Sequence, residues 1–508
     1  MKIVHAAPFA MVFARLALIA TPTMIAQTPC EVLSSLSLPN ATITLTTSVP
    51  AGDVRLPVGG RDQTLGDLPA FCRVAATVKP TADSDIRIEV WLPTSTWNRK
   101  FLVQYGDSLN YMGMARALRR GYATSSTDAG RNAAIGEAVL GHPDRVVDFA
   151  YRGVHEMTVK AKAVIGAFYG RAPSFSYWNG CSIAGGQGVM SAHRFPEDYD
   201  GIIAGAPGSP LSHGWSASKL RVAGAVLKDP SSAIPPDKIR IVHEAVIGAC
   251  DASDGLTDGL IDDPRRCQFK PDVLLCKGPD AGACLAAAQV ETVRTLFSPV
   301  TNPRTGTLIY PPLEPGSELS WVGFAPGLRE PSGLPVDAFK YVFLNDPEWN
   351  WRSLDLDRDV ARADQLIDAL KTNTLEADIQ VFTRRGGKLL LYQGWSDSTN
   401  VPQSTINYYN SVRKLLGDAA TSASVRLFMA PGMGHCLGSA GEGPNSFDDL
   451  GVLEEWVETG QAPGQIIASH STDGKVDRIR PWCPYPQVAR YTGTGSIDDA
   501  ANFVCKAP

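Results

Sequence analysis

Two rhythms of apolar and polar positions alternate along this chain. Residues 41–45, Ala-Thr-Ile-Thr-Leu, and 86–91, Ile-Arg-Ile-Glu-Val-Trp, switch polarity at nearly every step, as half-buried strands do. Residues 100–107 open as a continuous apolar run, Phe101-Leu102-Val103, and then pass into a loop at Gly106, which predicts a strand covered on both faces. Further short strands are predicted over 121–126, 175–178, 201–207, 388–393 and 425–430. Between them, Val147, Tyr151, Val154, Val159, Ala163, Ile165 and Phe168 recur at roughly helical spacing and predict a helix over 147–170. Residues 185–193 read as another helix. Strands alternating with helices predict an α/β fold built on a largely parallel sheet, with mixed pairing contributed by residues 27–100. The texture changes after Gly208. Residues 209–377 are rich in Pro and Gly, and few of them read as parallel strands. They are expected to form an inserted lid domain between the two parts of a catalytic domain, 27–208 and 378–508.

Gly180-Cys181-Ser182-Ile183-Ala184 lies where the 175–178 strand meets the following helix. A serine on such a hairpin takes strained dihedrals, and the strand and helix nearly touch, so residues two before and two after must be small. Gly180 and Ala184 meet that need. The backbone N–H of Ile183 is then placed to face a developing oxyanion, and the strand-end Gly106 is the candidate for the second donor. Taken alone, the pentapeptide fits a tight glycine-rich turn equally well, and Gly106 fits an ordinary strand end. Gly394-Trp395-Ser396-Asp397-Ser398 has a similar shape and also follows an apolar run.

Composition narrows the context. The chain has 508 residues and a net charge of −5 with the signs mixed throughout. No basic stripe is present, which excludes nucleic acid as a partner. Lys2 followed by a mostly apolar run to Ile25 reads as a secretory signal, residues 1–26, cleaved near Ala26. The other reading is an N-terminal anchor, but Arg15 and the short apolar length argue against a stable membrane span. All ten cysteines follow Ala26. An even number in an exported chain fits five disulfides in an oxidising compartment, secreted or periplasmic. Spacing pairs Cys250 with Cys267, Cys276 with Cys284, Cys483 with Cys505 and Cys30 with Cys72, although spacing alone proves no connectivity. Cys181 and Cys436 are left over.

A serine nucleophile needs a base, and the base needs an orienting carboxylate. Asp397 directly follows the 388–393 strand. His435 follows the 425–430 strand within Pro-Gly-Met-Gly-His. The order Ser, Asp, His on successive strand-end loops is that of an α/β-hydrolase. Of the eight histidines, His470 also follows Asp397 but lacks a glycine-flanked turn, and His155 sits mid-helix as a structural residue. Cys181 precedes Ser182 and Cys436 follows His435. If the triad forms, the two cysteines come within bridging distance.

These features together resemble the tannase and feruloyl esterase family of α/β-hydrolases, which includes the hydrolase of mono(2-hydroxyethyl) terephthalate. The resemblance runs from about residue 70 to Cys505 and is carried by Trp178-Asn179-Gly180-Cys181-Ser182, Arg194-Phe195-Pro196-Glu197-Asp198 and the segment ending at His435-Cys436. Two departures fall in the oxyanion region. Ile183-Ala184-Gly185-Gly186 stands where the family usually has Thr-Gly-Gly-Arg, and Gln104 to Ser108 replaces a glycine-rich loop.

The resemblance implies a serine carboxylic ester hydrolase acting on small esters of aromatic acids of the hydroxycinnamic, gallic or terephthalic type. It also bears on the acidic stretch 250–263. By chemistry alone this stretch is a solvated turn as readily as a metal site. The resemblance implies a structural calcium held by Asp251, Asp254, Leu256, Asp258 and Leu260, with the Cys250–Cys267 bridge closing the loop. Two other functions stay open: a general lipase or esterase of the same fold, and a catalytically weakened calcium-braced binding protein. The sequence leaves the oligomeric state open.

Overall fold

The structure, a computed structural model, describes Met1 and residues 27–58, 61–104, 109–130, 136, 139–208, 213–278, 282–324, 329–373, 375–439 and 441–508. The expected signal segment therefore lies outside the described residues, Met1 excepted.

Nine strands form the central sheet: β1 (Ala41–Val49), β2 (Phe71–Val78), β3 (Ile86–Pro93), β4 (Lys100–Gln104), β5 (Ala123–Thr127), β6 (Phe175–Cys181), β7 (Gly201–Gly205), β8 (Lys388–Gly394) and β9 (Val425–Ala430). Their order across the sheet is β1-β2-β3-β5-β4-β6-β7-β8-β9. β1, β2, β3 and β5 pair antiparallel, and every pairing from β5 through β4 to β9 is parallel. The parallel strands are largely buried on both faces, and β4, β7, β8 and β9 read as mainly apolar runs, while β5, Ala-Thr-Ser-Ser-Thr, is buried although polar. One face packs on Val103, Trp178, Ile202, Leu391 and Leu427, the other on Tyr177, Ile203, Leu390 and Trp456.

The helix expected over 147–170 is three pieces. A short helix, Pro143–Val147, runs into a π turn, Asp148–Arg152, and then into α1, Gly153–Tyr169. Asp148, wholly buried, bonds Arg152 across the π turn, and Arg152 also reaches Asp144 Oδ1 at 3.1 Å. Gly170, with φ 69°, ends α1 in the left-handed conformation. Ile183–Arg194 forms α2.

The inserted segment is helical and irregular. It contains α3 (His213–Lys228), α4 (Pro236–Cys250), α5 (Ala287–Leu296), α6 (Arg358–Leu370) and a small ribbon, Val300–Thr301 with Leu308–Tyr310. It leaves the sheet after β7 and returns before β8, and these two strands are neighbours, with Gly201 opposite Lys388. One lid core gathers Val242, Val246, Val293, Leu296 and Trp321. A second joins Phe339, Phe343 and Trp351 of the lid to Ala129, Val146 and Phe149 of the catalytic domain.

All five disulfides form as spacing and the triad argument predict: Cys30–Cys72, Cys181–Cys436, Cys250–Cys267, Cys276–Cys284 and Cys483–Cys505. Among the described residues no helix is long and apolar enough to cross a membrane.

Candidate active site

β6 ends at Cys181 and α2 begins at Ile183, so Ser182 alone makes the turn, at φ 61° and ψ −124°. A non-glycine residue held there stores about 1–3 kcal/mol of strain, which the surroundings must over-determine. They do so through three backbone hydrogen bonds. The Ser182 N–H donates to Gly205 O at 2.9 Å, and the Ser182 carbonyl accepts from Gly186 N and Gly208 N, each at 3.0 Å. The close approach is real: a Cβ on Gly180 would lie 2.7 Å from Ala184 Cβ. A third small residue is needed at position 185, since a Cβ on Gly185 would meet Gly205 O at 2.4 Å. The look-alike Ser396 lacks this geometry. It is absent from the positive-φ residues, and its N–H donates to Met433 O at 3.0 Å.

Asp397 is wholly buried at the end of β8. Its Oδ2 faces His435 Nδ1 at 2.8 Å and accepts from Gln393 Nε2 at 2.9 Å, while Oδ1 accepts from Thr399 N at 2.7 Å and Asn400 N at 3.0 Å. A carboxylate satisfied this fully is fixed in place and holds the imidazole proton on Nδ1, so Nε2 is the lone-pair side of the ring. Gln393 is itself oriented by Thr405 Oγ1, which donates to its Oε1 at 2.8 Å. The Cys181–Cys436 bridge then holds the residue before Ser182 and the residue after His435 with their Cα atoms 5.9 Å apart, across 255 positions of sequence. Cys436, like Ser182, has a positive φ, 66°. His470 instead pairs with Asp477, and His155 bonds Asp198 Oδ2 at 2.9 Å while stacking on Phe195.

Ile183 is the first residue of α2, where helical N–H groups have no intrahelical acceptor. Gly106 lies outside the described residues. Ile183 also borders the lid core of Phe339 and Trp349, whose rings stack at 5.6 Å. Trp321 is fully buried in the other lid core, against Phe297. Most lid aromatics therefore serve the lid itself. Arg352, one of the cations near them in sequence, pairs with Glu330. A residue that sequence reading missed is Lys219 on α3. Burial lowers its amine to about 8 against the opposing pull of the Asp397 charge, and Nζ sits 4.1 Å from the Trp215 ring.

The acidic loop is ordered by its own carboxylates. Asp251 accepts from Asp258 N and Gly259 N, Asp254 from Leu256 N and Asp262 N, and Asp258 from Leu260 N. Arg480 bonds the Asp258 carboxylate, Arg478 the Asp258 carbonyl and Arg490 the Asp254 carbonyl, a clamp from the C-terminal hairpins that no sequence pattern announced. Burial, with Asp254 and Asp258 beside it, pushes Asp262 up to about 7. The donor chemistry, buried carboxylates with nearby carbonyls, suits calcium, and each carboxylate oxygen that accepts one N–H keeps a second lone pair. Among the described residues, however, no three acidic, imidazole or thiolate groups converge as a ready-made metal cage.

A strained serine between a parallel strand and a helix, with a carboxylate–histidine pair on the next strand ends, defines an α/β-hydrolase. The sequence model for tannase and feruloyl esterase matches residues 72–506, and the chain belongs to that family of carboxylic ester hydrolases. It is 37% identical to an uncharacterized esterase of Xanthomonas campestris, covering 95% of this chain and 92% of that one. It is 31% identical to the probable feruloyl esterase B-2 of Aspergillus terreus, covering 93% and 94%. The crystal structure of feruloyl esterase B from Aspergillus oryzae superposes with a TM-score of 0.86 at 30% identity, over 94% of this chain and 99% of that one.

Proposed function

We propose that this chain is an exported serine esterase that hydrolyses small esters of aromatic carboxylic acids. Ser182 attacks the ester carbonyl while His435 Nε2 takes its proton. The Ile183 N–H steadies the oxyanion. His435 then returns the proton to the leaving alcohol, and a water activated the same way releases the acid from the acyl-enzyme. The observation that carries this reading is the His435–Asp397 hydrogen bond on a loop bridged directly to the strained Ser182 turn.

The aromatic preference is supported by the apolar cluster of Phe339 and Trp349 reaching Ile183, beside the nucleophile. An aromatic acyl group suits an aromatic neighbourhood beside the nucleophile better than a long flexible chain does. Methyl ferulate and methyl gallate, compared with p-nitrophenyl palmitate, should show the higher kcat/KM. A clear preference for palmitate sinks the aromatic reading and leaves the serine chemistry untouched. Covalent labelling of Ser182 by a serine-directed phosphonate tests that chemistry separately.

The acidic loop is read as a structural calcium site in which Asp251, Asp254 and Asp258 supply carboxylate oxygens and Leu256 and Leu260 supply carbonyls. Asp262 is a sixth candidate. A chelator should lower Tm and added calcium should restore it. Pure protein that holds no calcium and shows no thermal response to chelator removes this part of the reading. Export is supported by five disulfides, which persist in oxidising compartments.

A further inference from the structure

A cavity of about 250 Å³ lies between the lid and the catalytic domain, and Ser182, Asp397 and His435 do not line it. Its wall combines the apolar Ile247, Leu260, Leu319 and Trp395 with the polar His243 and Glu442. His243, on α4, is 8% exposed. Its Nδ1 is 2.8 Å from Glu318 Oε2, and Glu318 is wholly buried, with Oε1 accepting from Gly316 N at 2.8 Å. Burial by itself would strip the second proton from His243, but Glu318 and Glu442 outweigh it and raise the ring to about 9. At neutral pH both ring nitrogens therefore carry protons.

The second proton has no direct acceptor. His243 Nε2 is buried and makes no hydrogen bond, and Glu442 Oε2 stands 3.6 Å away, beyond hydrogen-bond length. A buried charged donor left in this state costs more than one that is satisfied, so the gap is a place for a bridging group. The chemistry of that group follows from its two neighbours. It must accept from Nε2–H and donate to a carboxylate. A hydroxyl does both, a carboxylate only accepts, and an ammonium only donates. Glu442, with its side chain 54% exposed, can swing outward to admit an oxygen, and Arg240 and Arg478 lie within electrostatic reach of it.

We infer that this cavity is a second binding site, for a small neutral molecule with an apolar ring and one hydroxyl, seated between His243 and Glu442. The ring would lie against Leu260, Leu319 and Trp395. Ser396 and Gly432, also in the wall, belong to the loops that present Asp397 and His435, so an occupant would brace both loops from behind. The site is independent of the esterase reading and of which residue is the nucleophile.

The test is equilibrium binding of phenol to the full-length protein, by calorimetry or saturation-transfer NMR, with toluene and benzoate beside it. Phenol should bind saturably and at least about tenfold more tightly than either comparison ligand, the factor one charge-assisted hydrogen bond supplies. Leu319→Trp, at a position 41% exposed, should fill the cavity and abolish binding. Glu442→Leu should weaken it about tenfold or more. No saturable phenol binding, equal binding of toluene or benzoate, or unchanged binding in both variants overturns the proposal. A crystal soaked in phenol decides the matter without a variant: phenol between His243 and Glu442 supports the site, and phenol found only elsewhere overturns it.

Discussion

Asp397 shows how much one carboxylate is asked to do. Four donors converge on it, and only one of them is His435. Asp397→Asn would place an amide N–H₂ against donors on at least one side and favour the wrong imidazole tautomer. The expected loss in kcat is about 10⁴-fold, with little change in KM, and Ser182→Ala should cost at least as much. An Asp397→Asn enzyme within tenfold of wild type would refute the assignment. Gln393→Leu should cost far less, about tenfold, because it removes one of the carboxylate's supports and leaves the other three. These two residues also mark what a sequence discloses at this scale. The Ser182 turn and the loops that pair Asp397 with His435 were legible because strand-end turns force glycine and small residues around them. Gln393 was not, because its place against the Asp397 carboxylate follows from the turn after β8 and from Thr405, not from any pattern of residue types.

Elements are joined here by bonds that span most of the sequence. Cys181→Ala with Cys436→Ala releases a loop of 255 residues, worth about 5–6 kcal/mol in the chain-entropy account. On the mechanism proposed above, activity should fall further than that stability change implies, since the bridge ties the neighbours of Ser182 and His435 together. A double variant with normal kcat and lowered Tm would show that the bridge only stabilises. The His243–Glu318 pair fastens α4 to the 318–324 segment in another way. Its folded value, about 9, stands above the ordinary 6.5 of histidine. Its contribution is therefore complete below about pH 6.5 and lost as pH rises through 9, by at most about 3 kcal/mol. Wild type should lose more Tm between pH 6.5 and 9.5 than His243→Gln does, and equal losses would rule the pair out as a source of stability. The bridge was readable from the cysteines flanking Ser182 and His435, but the His243–Glu318 pair was not: the two residues lie 75 apart, in a stretch without a readable period.

At the scale of the whole molecule, the parallel half of the sheet was legible because burial on both faces writes apolar runs in β4, β7, β8 and β9, and short β-prone stretches bounded by Gly, Ser or Pro mark β5 and β6. The lid was legible only as a change of texture. Its 3₁₀ and π turns have no strong period, and its aromatics gave no hint of which core they would join. The helix read as one over 147–170 is interrupted by the π turn Asp148–Arg152, and one extra residue in a turn leaves the hydrophobic spacing almost unchanged. The lid leaves and rejoins the sheet between two adjacent strands, β7 and β8. Insertion at such a seam disturbs no strand pairing, so evolution or an engineer can exchange the lid as a cassette and keep the chemistry. The second lid core sets the limit on that trade. Phe339 and Trp351 pack against Val146 and Phe149 of the catalytic domain, so a transplanted lid should need the 143–152 segment of its own parent to keep its grip.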